Sequence, residues 1–380
     1  MQLAYVTTYD SADVNQWSGL GSYILRSLEA AGVQASTIGN LAEVDLPLIS
    51  RLKRACYTKA SSKRYLTDRD PTILRSYAAQ VQKQLDRLDT DVVFSPGTVP
   101  IAYLKTDKPI VFYTDATFAG MLDFYPWFTN LSRESIKQGN RMEQQALTKC
   151  RLAIYASQWA ADSAIKYYDV DPAKVKVVPF GANMTCDRDE QDIARLANQK
   201  PMDTCKLLLL GVDWHRKGGP RALEVAKQLT DSGLPTELHV VGIEELPVSS
   251  PLIVNHGFIS KKTDEGQKRL DQLLSESHFL ILPSVAECFG IVFSEASSFG
   301  LASLATRVGG IPTAVHEGRN GWTFDLQDGA DAYCQQIQRL MSSKAAYTDM
   351  ALSSFREYKD RLNWDASGKR ICELIQAHCA

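Results

Sequence analysis

The chain has few of the features that send a protein across a membrane, onto nucleic acid or around a metal. Among its 380 residues no eighteen consecutive positions are apolar, so no membrane-spanning helix is expected. The N-terminal MQLAYVTTYD has neither a charged n-region nor a long apolar h-region, the parts an export signal needs. Net charge is almost absent: 42 Lys and Arg face 44 Asp and Glu, a formal −2. Without a global basic field, nucleic acid is not an expected partner. The eight cysteines, at 56, 150, 186, 205, 288, 334, 372 and 379, stand singly with no CxxC pair and no His-rich spacing. That pattern argues against zinc or a redox centre and for reduced thiols in a cytoplasm.

A chain this long exceeds what one hydrophobic core usually serves, so two domains are expected. Short apolar β-rich runs alternate with longer stretches of helical composition, the pattern of βαβ units and parallel sheets. The alternation occurs twice. Strands are predicted at 3–9, 33–39, 91–96, 109–115, 151–157 and 174–180, with helices around 72–88, 132–148 and 158–168. A second set is predicted at 205–211, 237–242, 252–258, 278–283 and 302–306, with helices near 218–231, 265–276, 291–299 and 329–342. Between the sets, PFGANMTCDRDEQDIARLANQKPMDTC breaks the rhythm with Pro, Gly, Asn and a charged run, which places the hinge. The expected architecture is therefore α/β: two doubly wound, Rossmann-like domains, 1–183 and 184–361, facing across a cleft.

Ligands of open parallel sheets bind at the carboxyl ends of the strands, so the loops after strands are where chemistry is expected. After the first strand, NQWSGLGSYILRSLEAAG carries Gly19 and Gly21 ahead of a helix, where backbone can approach a phosphate. Ile24 stands where a dinucleotide fingerprint wants a third glycine, and a structural turn is the alternative. Trp17 beside this turn is either a stacking surface for an acceptor sugar or a packing lid. After 205–211, VDWHRKGG puts Arg216 and Lys217 just before a helix, a bidentate fork and a point charge suited to a diphosphate. Solvated loop charges are the bland alternative. After 278–283, SVAECFGIVFSEASSFG sets Glu287 on the connection and Glu295 further along, with the amides of Phe289, Gly290, Ile291 and Val292 opening a helix between them. Carboxylates accept pairs of sugar hydroxyls, and two of them in so apolar a run are poorly explained as capping and solvation.

In order, SGLGSY, KVKVVPFGAN, LLLLGVDWHRKGG, LPSVAECFGIVFSEASSFG, ATRVGGIPTAV and EGRNGWTFD resemble the retaining glycosyltransferases of family four, which have the GT-B fold. The likeness covers nearly the whole chain and is most specific where E-x7-E is followed by Gly309, Gly310 and Pro312. It implies that Glu295 binds the ribose of a UDP- or GDP-linked hexose. Glu287, with backbone from Phe289 to Val292, would hold the transferred sugar. Arg216 and Lys217 would hold the diphosphate, and the Gly19 to Gly21 loop would close over it from the other domain. The base would sit near Gly257 to Ser260, against Phe258. The resemblance also implies that the N-terminal domain binds the acceptor and that the last helix, 362–380, returns to it. No metal or cofactor is implied, since positive side chains placed around a departing diphosphate lower the barrier themselves.

Two departures stand out. Many relatives have arginine directly after the glycine that ends the first C-domain strand, where this chain has Val212, and Arg216 is the candidate replacement. Many also have a histidine in the loop that here reads TDATFAGMLDFYPW, leaving Asp115 to contact sugar or acceptor. A catalytic base, an oxocarbenium stabiliser and a loop cap all remain open for Asp115. The DRD at 68–70 and DVD at 169–171 imitate a metal-binding DxD, but both second aspartates precede proline, the signature of a helix N-cap. ISRLKRACYTKASSKRYL, residues 49–66, is the one basic, partly amphipathic segment. It is either solvated helix charge or a peripheral contact with anionic lipid at the inner face of a membrane.

Three other functions compete. A nucleotide-sugar epimerase would use the same donor pocket without transfer. A non-catalytic sugar- or nucleotide-binding protein of two such domains would normally carry an export signal. A nicotinamide oxidoreductase needs the third glycine and a ribose-binding acid after the second strand, and the chain has neither in convincing form.

Overall fold

A computed structural model describes residues 1–14, 16–42, 44–45 and 48–379. The chain divides into two compact units, the first Met1–Pro179 with the C-terminal helix, the second Phe180–Asn363. Among the described residues no helix is long and apolar enough to cross a membrane.

Unit 1 holds six parallel strands, β1 (Gln2–Val6), β2 (Gln34–Ile38), β3 (Val92–Ser95), β4 (Ile110–Thr114), β5 (Leu152–Tyr155) and β6 (Val175–Val177), in the order β2-β1-β3-β4-β5-β6. The central strands are buried on both faces beneath helices, which is why VVFS, IVFYT and LAIY are unbroken apolar runs rather than alternating ones. Parallel strands require a crossover, and Leu20–Ala30, Pro71–Leu85, Arg133–Lys149 and Gln158–Tyr167 supply helical ones. The helix Trp364–Cys379 belongs to this unit. Tyr23 stacks on Trp364 with centroids 6.1 Å apart, and Ser367 Oγ donates to Pro179 O at 2.8 Å. Gly368 lets the backbones meet, since a Cβ there would lie 2.3 Å from Ser27 O.

Unit 2 has β7 (Cys205–Leu210), β8 (Thr236–Val241), β9 (Ile253–Asn255), β10 (Phe279–Leu282), β11 (Ala302–Thr306) and β12 (Gly321–Phe324), all parallel, in the order β12-β11-β10-β7-β8-β9. Counted from β9 this is the third, second, first, fourth, fifth and sixth strand of the unit, the doubly wound order of dinucleotide-binding folds. Its topological switch lies between β7 and β10, which pair Leu207 with Phe279. In unit 1 the corresponding switch lies between β1 and β3.

Several elements differ from expectation. β12 was not predicted, because GWTF opens on glycine and is interrupted by Thr323. The segment read as a hinge contains a helix, Glu190–Gln199, opened by a capping box between Asp189 and Asp192. The first division into units falls at the start of that segment, between Pro179 and Phe180, and the second between Asn363 and Trp364. Predicted strand 252–258 stops at Asn255, and Gly257 takes a φ of 61° just beyond.

Candidate functional site

The loops after β7 and β10 flank the switch point of unit 2, and between them they carry Arg216, Lys217 and Glu287. Lys217 Nζ is ion-paired to Glu287 Oε2, and Arg216 Nη1 lies 3.6 Å from the same oxygen. Arg216 also donates to Ala286 O at 3.1 Å, and its own carbonyl accepts from Val285 N at 2.9 Å. Lys217 and Glu287 are only 8 % and 7 % exposed, so neither is a solvated loop charge. A buried carboxylate flanked by two cations is an arrangement in which a second anion can share the cations.

Local backbone chemistry makes this possible. Asp213 Oδ1 accepts from Arg216 N at 2.9 Å and shapes the turn. Gly218 then adopts φ 78° as the N-cap of the helix Gly219–Asp231. A Cβ at Gly218 would lie 2.0 Å from Pro283 O, so the turn after β7 rests directly on the backbone that leaves β10. Gly211 likewise leaves room for the Lys217 stem, whose Cγ lies 2.6 Å from where a Cβ would be. Val212, which follows, is 69 % exposed.

Glu287 is anchored through its carbonyl, which accepts from Gly310 N at 3.0 Å. Gly290 follows with φ 83° and caps the seven-residue helix Ile291–Ser297. Ile291 and Val292 are half-buried, whereas Phe289 packs edge-on against Phe180 at 5.3 Å and is buried, so only its backbone can serve a ligand. Glu295 is 1 % exposed and its carboxylate is ion-paired to Lys261 Nζ. Lys261 escaped the sequence reading, because a lysine in a polar SKK loop carries no signal of a partner 34 positions away. The same loop presents Phe258, 62 % exposed, whose N–H donates to Glu244 Oε1 at 3.3 Å.

In unit 1, Gly19 has φ 80° and caps the helix Leu20–Ala30. Trp17 and Ser18 before it have φ of 45° and 55°, so three successive residues are left-handed, two of them non-glycine. Trp17 is half-buried, and Asn15 of the same motif lies outside the described residues. The space beside Gly21 is filled by Tyr9, whose hydroxyl is 2.4 Å from where a Cβ would stand, which makes this glycine a packing requirement. Asp115 is half-buried at the carboxyl end of β4, and its charge, after burial, helps push the Tyr113 phenol well above its usual range. Tyr113 Oη donates to Val178 O at 2.9 Å. Asp70 and Asp171 cap helical turns, accepting from Thr72 N and Ala173 N at 2.9 Å each. In the basic segment Arg51 pairs with Asp45 and Lys53 with Glu134, both at 2.6 Å, while Arg64 covers the ring of Trp127 at 4.9 Å.

Comparison with known proteins bears on the family and the fold. Residues 23–185 match the family model Glycosyltransferase Family 4, and residues 204–343 match Glycosyl transferases group 1. A D-inositol 3-phosphate glycosyltransferase of Streptomyces scabiei is 27 % identical over 232 residues, 57 % of this chain and 52 % of that protein. The chain thus spans about half the length of the curated relatives it matches. Among solved structures, sucrose-phosphate synthase of Thermosynechococcus elongatus superposes with a TM-score of 0.65 at 15 % identity, covering 99 % of this chain and 98 % of the other. Anabaena Alr3699/HepE in complex with UDP-glucose gives 0.63 at 14 % identity, covering 99 % and 100 %. Two family models spanning most of the sequence, on two doubly wound units, identify the chain as a member of the family-four glycosyltransferases with the GT-B fold.

Proposed function

We propose that the protein transfers a hexose from a UDP- or GDP-linked donor to a hydroxyl of a saccharide, glycolipid or small acceptor, with retention at the anomeric carbon and without a metal. The observation that carries this is the pairing of Arg216 and Lys217 with Glu287 at the switch point of unit 2. In the donor complex the two cations take the diphosphate, and Glu287 turns to the hydroxyls of the transferred sugar. Glu295, held by Lys261, accepts from the ribose, and Phe258 offers a face to the base. As the bond from the anomeric carbon to the phosphate oxygen breaks, its electron pair passes to the diphosphate, where the two cations stabilise it. The acceptor oxygen bonds to the same face of that carbon, and its proton goes to the leaving phosphate. Asp115 and Trp17 are proposed to meet the acceptor in unit 1. The UDP-glucose bound by HepE makes uridine nucleotides the first donors to test.

Thermal unfolding across a panel of nucleoside diphosphates and nucleotide sugars, with chelator present, tests the donor site. One nucleotide family at a hundred times its Kd raises stability by about 2.7 kcal/mol in the wild type and leaves Glu295→Ala unmoved. Stabilisation by a nicotinamide cofactor or a free sugar instead, or equal stabilisation of the variant, removes the assignment.

We further propose that the helix Leu48–Ser61 rests on an anionic bilayer. Leu48, Leu52 and nearby Trp127 are 76 %, 65 % and 72 % exposed beside Arg51, Lys53, Arg54, Lys59, Lys63 and Arg64. Apolar tips among basic stems suit the headgroup boundary. Sedimentation with phosphatidylglycerol vesicles retains the wild type and releases Leu52→Glu, whereas equal retention of both defeats the idea.

A further inference from the structure

The segment between β9 and the helix Asp264–Glu276 carries Gly257, Phe258 and Lys261, and its first residue is fastened by a line of side chains. Arg269 Nη2 lies 3.3 Å from His256 Nδ1, His256 Nε2 lies 3.0 Å from His239 Nδ1, and His239 Nε2 lies 3.0 Å from Glu237 Oε2. A guanidinium only donates and a carboxylate only accepts, so the two ends fix every proton between them. His256 Nδ1 accepts from Arg269, His256 Nε2–H donates to His239 Nδ1, and His239 Nε2–H donates to Glu237. Both rings are neutral in this arrangement, and every ring nitrogen is engaged. A proton added at His256 Nδ1 would confront the Arg269 guanidinium. One added at His239 Nδ1 would set two N–H groups against each other.

We propose that the line Arg269, His256, His239 and Glu237 positions the donor-binding segment, and that a single added proton breaks it and weakens donor binding. The inference rests on the donor assignment made above. His239 is buried on β8, and His256 N donates to Val240 O at 2.9 Å while Gly242 N donates to Gly257 O at 2.8 Å. The imidazole pair therefore sits where the last β8 to β9 pairing hands over to the segment. Phe258 lies two residues on, and Lys261, three further, reaches Glu295. The charged groups facing the pair are Glu237 on β8 and Arg269 and Glu276 on the helix. Lys206 on β7 is paired to Glu276 at 3.4 Å. Burial, then His239, then Arg269 push the His256 imidazole below its ordinary range, against Glu276. The line is thus intact at neutral pH and breaks on acidification.

UDP-glucose and GDP-mannose are suitable probes, because their diphosphates are diesters and do not titrate near neutrality. Calorimetric affinity of the wild type for the probe it binds falls by at least about threefold between about pH 7.5 and about pH 5. H256Q keeps a donor toward His239 but cannot titrate, and its affinity changes by less than about twofold over that interval. R269A removes the cation facing Nδ1 and moves the acid loss to higher pH. A flat wild type, or an H256Q that keeps the full acid loss, overturns the inference while leaving the donor site standing. Acid loss that parallels loss of folded protein by circular dichroism also overturns it. If the wild type binds neither probe at neutral pH, the donor assignment falls and takes this inference with it.

Discussion

Lys217→Ala lowers turnover by about 10²- to 10³-fold, the loss that follows removal of one pre-placed group stabilising a departing charge. The expectation comes from where Lys217 sits. Its ammonium is buried against Glu287, and the turn that carries it is fixed by Gly218 and Asp213 rather than by a ligand. Truncation also leaves Glu287 buried with Arg216 3.6 Å away, so stability falls by about 3–5 kcal/mol as well. The two losses separate in a double variant. Lys217→Met with Glu287→Gln removes both charges and recovers much of the stability, but turnover stays low. Initial rates of nucleoside diphosphate release, at saturating donor and beside denaturant unfolding, read both quantities. A single variant that keeps turnover within about threefold denies Lys217 its place at the leaving group.

The two units respond to pH with opposite slopes. In unit 1, burial pushes Glu143 from its ordinary 4.5 up to about 7, although Thr98 Oγ1 donates to it at 2.9 Å and Arg69 pulls the other way. Between those values the folded unit holds a proton that the unfolded chain has released, so stability falls as pH rises, by roughly 3 kcal/mol across the window. In unit 2, burial and the charge of Lys344 push Lys200 from 10.5 down to about 7. Its ammonium donates to Ser277 O and to Tyr347 Oη beneath the sheet. Here the unfolded chain holds the extra proton, so the stability present above 10.5 is lost as pH falls toward 7, by roughly 5 kcal/mol. Denaturant titrations at a series of pH values, read by exchange protection of peptides from each unit, follow the units separately. Glu143→Gln flattens the first slope and Lys200→Met the second. Slopes of one sign in both units, or slopes that survive these substitutions, contradict the assignment.

What could be read from the sequence follows from what burial does to composition. Strands covered on both faces, such as LLLL of β7 and FLIL of β10, announce themselves as unbroken apolar runs. GWTF of β12 opens on glycine and is broken by Thr323, so it is no unbroken apolar run, and the helix Glu190–Gln199 is so polar that only its Asp189–Asp192 box marks it. Arg216, Lys217 and Glu287 were legible because they follow strands, where parallel sheets place ligands. Their mutual pairing was not, since it depends on β7 and β10 being neighbours despite the β8 and β9 crossovers between them. Lys261 gave no signal in its polar loop, and the His239–His256 pair follows from the β8 to β9 register, in which Val240 pairs with Asn255. Gly21 shows the converse: a glycine that looked like room for a phosphate is room for Tyr9.

The contact of Gly218 with the carbonyl of Pro283 bears on how the protein meets its donor. With no side chain between them, the turns after β7 and β10 share one rigid support, and the Arg216 to Val285 hydrogen bond ties them again. The two cations are therefore in place before any nucleotide arrives, and capture spends little entropy on gathering them. Under the donor assignment proposed above, donors that differ only in the sugar meet the same ready diphosphate seat at similar rates. Discrimination among them falls to how long each one stays.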